Sequence, residues 1–212
     1  MPLSHHLGRI APIMAGVALL LGWLASQTQV MFADGLRYIA AAQSIEHGSW
    51  ADAVRNAIDH PAYPFAIATV QRILGDATPN GWQVAAQAAS VLAGILLVIP
   101  VYLFAFELYG RRAAWLATVL TFLVPLTGHV MADALSESTF LLFWTTGCWA
   151  ALRFLRDGAF GWLIATLAFA GLAYLARPEG LLLPAALAAT VCLLPALPSL
   201  RLARRRWLVA MS

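Results

Sequence analysis

Long apolar runs alternate with short polar stretches along almost the whole chain. The runs are Ile10–Phe32, Trp82–Phe106, Ala113–Thr127, Leu135–Leu155, Phe160–Ala176 and Gly180–Leu197. An uninterrupted apolar segment of about 17–25 residues suffices to cross a bilayer as a helix. The pattern therefore predicts an all-α, polytopic helical bundle with six spans, the third of them short. Only Arg177-Pro178-Glu179 separates the last two runs, and Pro178 with Gly180 predicts a tight turn or a sharp kink there. Between the first two runs, the segment 33–81 has a finer grain. Asp34 is placed to cap a helix that reaches His47 and stops at Gly48. Ser49 can cap a second helix, Trp50–Ile58, in which Trp50, Val54 and Ile58 form one stripe. Asp59-His60-Pro61 ends it, because a residue before proline disfavours helix. Pro64 then opens a third, Phe65–Leu74, stopped by Gly75-Asp76. Short amphipathic helices of this kind lie in the membrane interface. No repeat, low-complexity tract or strand alternation is visible. The final Trp207–Ser212 starts another apolar run, so residues 1–212 read as a single transmembrane domain that forms part of a longer protein.

Composition sharpens this picture. The chain is 61% hydrophobic and 11% charged, with a mean hydropathy of +0.77; soluble domains carry about 25% charged residues. That predicts an integral membrane protein. All 13 basic residues are Arg and the pI is ≈ 9.2. These charges fall between apolar runs rather than on a basic face, which argues against a nucleic-acid partner. Cys148 and Cys192 sit inside apolar runs and read as core residues. His5, His6 and Arg9 precede a first run too long for a signal peptide and without a small-x-small cleavage site, so it reads as a retained helix. With the N-terminus inside, six crossings put nine of the 13 Arg in the cytoplasm, as the positive-inside rule expects. That topology follows from the arginines alone, yet eight of the ten acids fall outside: Asp34, Glu46, Asp52, Asp59, Asp76, Asp133, Glu137 and Glu179. A working face on the outer side would explain the segregation.

Asp34 is the most suggestive of these acids. At the mouth of a span a carboxylate stays hydrated while facing a lipid-borne substrate; a few residues deeper it would cost several kcal/mol. It is either an interface residue that caps a helix or a base held at the bilayer surface. Arg37 and Tyr38, three and four residues on, would share its helix face.

Four stretches carry a resemblance: Asp34-Gly-Leu-Arg-Tyr38, His60-Pro-Ala-Tyr-Pro64, Ala134-Leu-Ser-Glu-Ser138 and Leu175-Ala-Arg-Pro-Glu-Gly180. In order and spacing they resemble the GT-C class of membrane glycosyltransferases that use polyprenyl-phosphate sugars, and within it the protein O-mannosyltransferase and aminoarabinose transferase family. The likeness covers the N-terminal half of such an enzyme. Gly35 stands where many members have a second acid, and no Lys is present to meet the lipid phosphate, so an Arg must take that part. The resemblance implies a polyprenyl-phosphate sugar donor, a hydroxyl acceptor on lipid, glycan or protein, an active site on the external face of the cell membrane, Asp34 as general base, and inversion at the sugar C1.

Such a transfer needs a base for the acceptor hydroxyl, a cation for the departing phosphate and an apolar groove for the tail. Arg177 sits at the outer end of a span where the chain breaks, and arginine grips phosphate bidentately; alternatively it pairs with Glu179. Arg37 either orients Asp34, touches phosphate or reaches lipid headgroups. Tyr38 reads as an interface anchor beside the substrate. Asp133 and Glu137, four apart, share a helix face and could position the acceptor; with His129 and His60 they could hold a divalent cation, although their spacing is no recognised metal motif. His60 and Tyr63, flanked by prolines, fix a turn and could secondarily bind sugar. Trp50 could stack on a sugar ring, whereas the other Trp residues read as interfacial anchors. Two readings compete. A flippase or solute transporter would put charged or broken positions at mid-span, and here mid-span is apolar. A non-catalytic membrane scaffold is the second, and activity of the chain alone, or its requirement for a missing C-terminal half, would separate enzyme from scaffold.

Overall fold

The computed structural model describes residues 3–28, 32–48 and 60–196. The expected helix Trp50–Ile58 with its Ser49 cap, and the Arg-rich tail 201–212, lie outside the described residues. Those described form helices α1 (Leu3–Gln27), α2 (Ala33–Glu46), α3 (Ala62–Leu74), α4 (Pro79–Leu123), α5 (Pro125–Ala132), α6 (Glu137–Asp157), α7 (Phe160–Ala176) and α8 (Leu182–Ala196). A 3₁₀ turn, Pro178–Leu181, joins α7 to α8. No strand occurs among the described residues.

Local chemistry sets the boundaries. Gly75, at φ 72°, ends α3 in the left-handed conformation that glycine adopts without penalty. The Asp76 carboxylate accepts from the Thr78 N–H at 3.0 Å, and the Thr78 hydroxyl accepts from the Gly81 N–H at 3.1 Å, capping α4 with Pro79 in its first turn. Gly110, at φ 77° and ψ −175°, breaks α4 into arms 79–109 and 111–123, where the sequence predicts two spans. The second arm is shorter than expected. Val124 is extended before Pro125, which opens α5, so Pro125–Thr127 belongs to a separate helix rather than to the third span.

Asp34 is also placed differently from the expectation. The residue preceding α2 is Phe32, which makes no side-chain cap, and Asp34 sits inside the first turn. It interacts there with the positive end of the helix dipole rather than serving as the cap.

Two apolar clusters hold the bundle together. In one, Ile10, Val17, Leu21 and Leu24 of α1 pack on Leu97, Val98 and Tyr102 of α4 and Met131 of α5. Gly94 faces this contact, and a Cβ there would lie 2.7 Å from a Leu21 methyl, which would have to shift. In the other, Ile39, Ala42 and Ile45 of α2 and Tyr63, Ile67 and Ala68 of α3 pack on Trp82, Ala85, Ala86 and Ala89 of α4. Outward positions stay apolar: Leu19, Leu120, Ile164 and Leu167 are each more than half exposed. By length and composition Ile10–Gln27 and Pro79–Leu123 could cross a membrane, and Phe160–Ala176 and Pro178–Leu193 are shorter apolar helices.

Charges collect at two ends of the bundle. At one, Glu107 pairs with Arg153 at 2.8 Å and with Arg156, Arg153 pairs with Asp157 at 2.9 Å, and the Arg153 guanidinium lies 5.2 Å from the Trp162 ring centre. The other end carries Glu137 and Arg177. Along α6, Glu137 and Arg153 are about 24 Å apart at 1.5 Å per residue, close to the ~30 Å thickness of a bilayer's hydrocarbon core. Single cysteines in place of Ala77 and Ala159, in a background with Cys148 and Cys192 replaced, should therefore label on opposite sides of sealed, uniformly oriented vesicles. Equal access of an impermeant thiol reagent to both would contradict a membrane-crossing α6–α7 pair.

Candidate active site at one end of the bundle

The site begins with how α6 and α7 lie together. Gly158, at φ 69°, reverses the chain after α6, so α7 returns antiparallel and its end meets the start of α6. Small residues line the contact: Gly147, Ala150 and Ala151 on α6, and Thr166, Ala170 and Ala173 on α7 are all buried. Arg177 is the next step on that α7 stripe. There the backbone turns extended, at φ −156° and ψ 145°. The Arg177 N–H still donates to the Ala173 carbonyl at 2.8 Å, and the Gly180 N–H donates to the Arg177 carbonyl at 3.0 Å. Gly180 is pressed onto α7 itself. A Cβ at this position would collide with the Tyr174 nitrogen and lie 2.6 Å from the Ala173 carbonyl carbon. The Arg-Pro-Glu-Gly segment is thus a hook that closes only around glycine.

The hook presents Arg177 to two acids. Its Nη1 lies 2.5 Å from Glu137 Oε1, and its Nε lies 3.6 Å from Glu179 Oε2. Glu179 is the partner expected from sequence; Glu137, 40 residues earlier, is the closer one. Burial works against the guanidinium's charge, but the hydrogen bond and charge of Glu137 outweigh it and hold Arg177 above the ordinary arginine value. Glu137 Oε2 is buried with no hydrogen-bond partner among the described residues.

Beneath this pair runs a polar network. Tyr63 is wholly buried; its hydroxyl donates to the Ala86 carbonyl at 2.9 Å and meets Ser90 Oγ at 2.8 Å. Ser90 in turn donates to the Leu135 carbonyl at 2.9 Å. Burial pushes the Tyr63 phenol far above its usual range, so it stays neutral. Tyr38 Oη lies 3.1 Å from Ser136 Oγ, and its ring stands edge-on to Tyr63 at 5.1 Å. Asp133 is 5% exposed and accepts from the Ala134 N–H at 2.7 Å. His60 stands edge-on to Tyr174 of α7, with ring centres 5.2 Å apart.

Asp34 lies on the exposed rim, with its Oδ1 2.7 Å from Arg37 Nη2. Each partner is about half exposed, and a surface pair of this sort contributes only about 0–1 kcal/mol. Its value is orientation of the carboxylate rather than stability. Tyr38, one helical turn on, points the same face of α2 toward Ser136.

The structure thus brings Tyr38, His60, Tyr63, Asp133, Glu137, Arg177 and Glu179 to one end of the bundle, with the Asp34–Arg37 pair one turn beyond Tyr38. It does not gather the acids and histidines into a cation site. Glu137 turns to Arg177 and Asp133 to its own loop, and no three His, Cys, Asp or Glu side chains converge to hold a metal among the described residues. Sequence reasoning assigned no role to Ser90, Ser136 or Tyr174. Ser136 lay within a quoted motif, and Tyr174 three residues before Arg177; only Ser90 had no local signal.

Two substitutions test this architecture by thermal unfolding in detergent. Gly180→Ala forces a methyl into the α7 backbone and should cost about 1–3 kcal/mol, typical of overpacking. Tyr63→Phe strands buried polar groups and should likewise cost about 1–3 kcal/mol. Unchanged melting in either variant would remove the corresponding contact from the account.

Comparison with known proteins adds one match. The family profile described as dolichyl-phosphate-mannose-protein mannosyltransferase matches residues 59–211. No curated protein and no solved structure matches the chain. The matched stretch contains the hook, the Glu137 helix and the His60–Pro64 turn, and begins after Asp34. Since it takes in well over half of the 212 residues, the chain belongs to the dolichyl-phosphate-mannose-protein mannosyltransferase family, of GT-C type.

Proposed function

We propose that this glycosyltransferase moves a sugar from a polyprenyl-phosphate carrier to an acceptor hydroxyl at the external face of the cell membrane. Six spans carry the site outward, with the Glu107–Arg153–Arg156 end in the cytoplasm. The observation that carries the reading is the Arg177 hook. A cation is held by backbone constraint and two flanking acids at one end of an apolar bundle. Lipid phosphate would emerge from the hydrocarbon at this depth.

In the reaction the acceptor oxygen attacks the sugar C1, and the C1–O bond to phosphate breaks with its electron pair leaving on the polyprenyl phosphate. Asp34 takes the acceptor proton. Arg177 offers its planar N–H groups to the charge gathering on the phosphate. Glu137 and Glu179 aim the guanidinium, and Arg37 aims the Asp34 carboxylate. Attack opposite the leaving group inverts C1. Asp34 as base rests on its motif, its place at the end of the first span and its exposure on the rim.

Asp34→Asn keeps the shape of the side chain and removes the base. Turnover of polyprenyl-phosphate mannose in membranes carrying the protein should fall by about 10²–10⁴, the usual contribution of a general base, with donor still bound. Full activity would refute this mechanism. Arg177→Lys keeps the charge but loses the planar fork, and should weaken donor use less than Arg177→Ala does. Unaltered donor binding in both would reduce Arg177 to a structural partner of Glu137.

A further inference from the structure

Ser136 occupies the cap position of α6 yet makes no side-chain cap. A serine there ordinarily accepts a hydrogen bond from an N–H of the first turn. Here the residue is 1% exposed and its hydroxyl faces Tyr38 Oη at 3.1 Å. The Ser136 backbone is already helical, at φ −77° and ψ −7°, rather than extended as a capping residue would be, and its side chain makes a contact 98 residues away in sequence. Both ends of that contact are held by other groups. The Tyr38 ring is braced edge-on by Tyr63, whose hydroxyl is fixed by Ala86 and Ser90. Ser90 also grips the Leu135 carbonyl, immediately before Ser136. The contact has a notable address on each side. Tyr38 is one helical turn from Asp34, and Ser136 adjoins Glu137, the closest partner of Arg177.

From this geometry we infer that the Tyr38–Ser136 hydrogen bond is a positioning device that sets the α2 carboxylate Asp34 at a fixed distance from the Glu137–Arg177 phosphate arm. Tyr38 and Ser136 touch neither reacting atom. They act through the residues one turn, or one position, away. The inference rests on the proposed roles of Asp34 and Arg177. A mobile α2 would leave donor binding intact, because the phosphate arm is built from Glu137 of α6 and Arg177 just after α7, but would misplace the base.

The test uses Tyr38→Phe, which keeps the ring against Tyr63, Ser136→Ala, which removes no helix cap, and the pair together. Each single variant should lower kcat for polyprenyl-phosphate mannose transfer by roughly 10- to 100-fold, the range that a base displaced by up to about 1 Å loses. The donor KM should not change, and the double variant should be no worse than either single one. Hydrogen exchange should quicken in the α2 amides around Asp34 and stay unchanged in α7. Wild-type kcat and α2 exchange in both single variants, with Asp34→Asn inactive, would overturn the inference alone. Wild-type activity in Asp34→Asn would instead overturn the reading of the base on which it depends, and the exchange measurement would still report whether the bond holds α2. Losses that add in the double variant with a raised donor KM would overturn the inference by making Tyr38 a direct substrate contact. A melting loss in Ser136→Ala without one in Tyr38→Phe would overturn it by returning Ser136 to ordinary capping.

Discussion

Close approach of α6 and α7 is the constraint on which the rest of this structure depends. In an apolar surrounding, helices gain nothing by hiding leucines from one another, and association falls to van der Waals fit and to small residues that let backbones near. Gly147, Ala150, Ala170 and Ala173 provide that fit. A Cβ at Gly147 would lie 3.4 Å from the Phe169 Cβ of α7, and a Leu183 methyl of α8, at 2.5 Å, would have to shift. Antiparallel packing then fixes which residues meet at each end. Glu137 must lie near Arg177, and Arg153 near Trp162. Polar chemistry at the two ends follows from apolar packing in the middle.

The residues of the Ala134–Ser138 stretch divide their labour. Within Ala134–Ser138, the Leu135 carbonyl receives Ser90, Ser136 meets Tyr38, Glu137 meets Arg177 and Ser138 lies 3.4 Å from the Met131 carbonyl. Only one of these side chains is an acid that chemistry could use. The others tie the non-helical junction between α5 and α6 to α4 and α2, and the start of α6 back to α5. A break in helical hydrogen bonding exposes backbone polar groups that an apolar bundle cannot tolerate unpaired. The serines and the buried phenol are the local answer to that cost.

Much of the helical order was legible in the sequence because apolar runs and Gly–Pro punctuation are local signals. Phe160–Ala176 appears with the bounds its pattern predicts, and the break near Gly110 falls between two predicted spans. The Val124–Pro125 boundary escapes that reading because continuous hydrophobicity hides a proline that opens a new helix instead of interrupting one. Asp34 does not cap α2 because Ala33, a poor capping residue, is already helical. The candidate residues could be read from the sequence as a group at span ends but not as a set of pairs. Periodicity says which face of a helix a residue occupies, but not how that helix is rotated against another. Glu137 and Arg177 are 40 positions apart, and Tyr38 and Ser136 are 98 apart; nothing local links them.

The two-residue reversal at Gly158–Ala159 has a consequence for biogenesis. Under the proposed topology α6 and α7 enter the bilayer as one hairpin, whose outward-moving end must carry charged groups through hydrocarbon. A lone aspartate or arginine at mid-membrane is unfavourable by about 2.5–3.5 kcal/mol on insertion scales. In the folded protein Glu137 and Arg177 are paired on that open end, with Glu179 3.6 Å from the same guanidinium. Pairing formed before insertion would offset the arginine's charge against its acids, so insertion and the proposed chemistry would draw on one set of contacts.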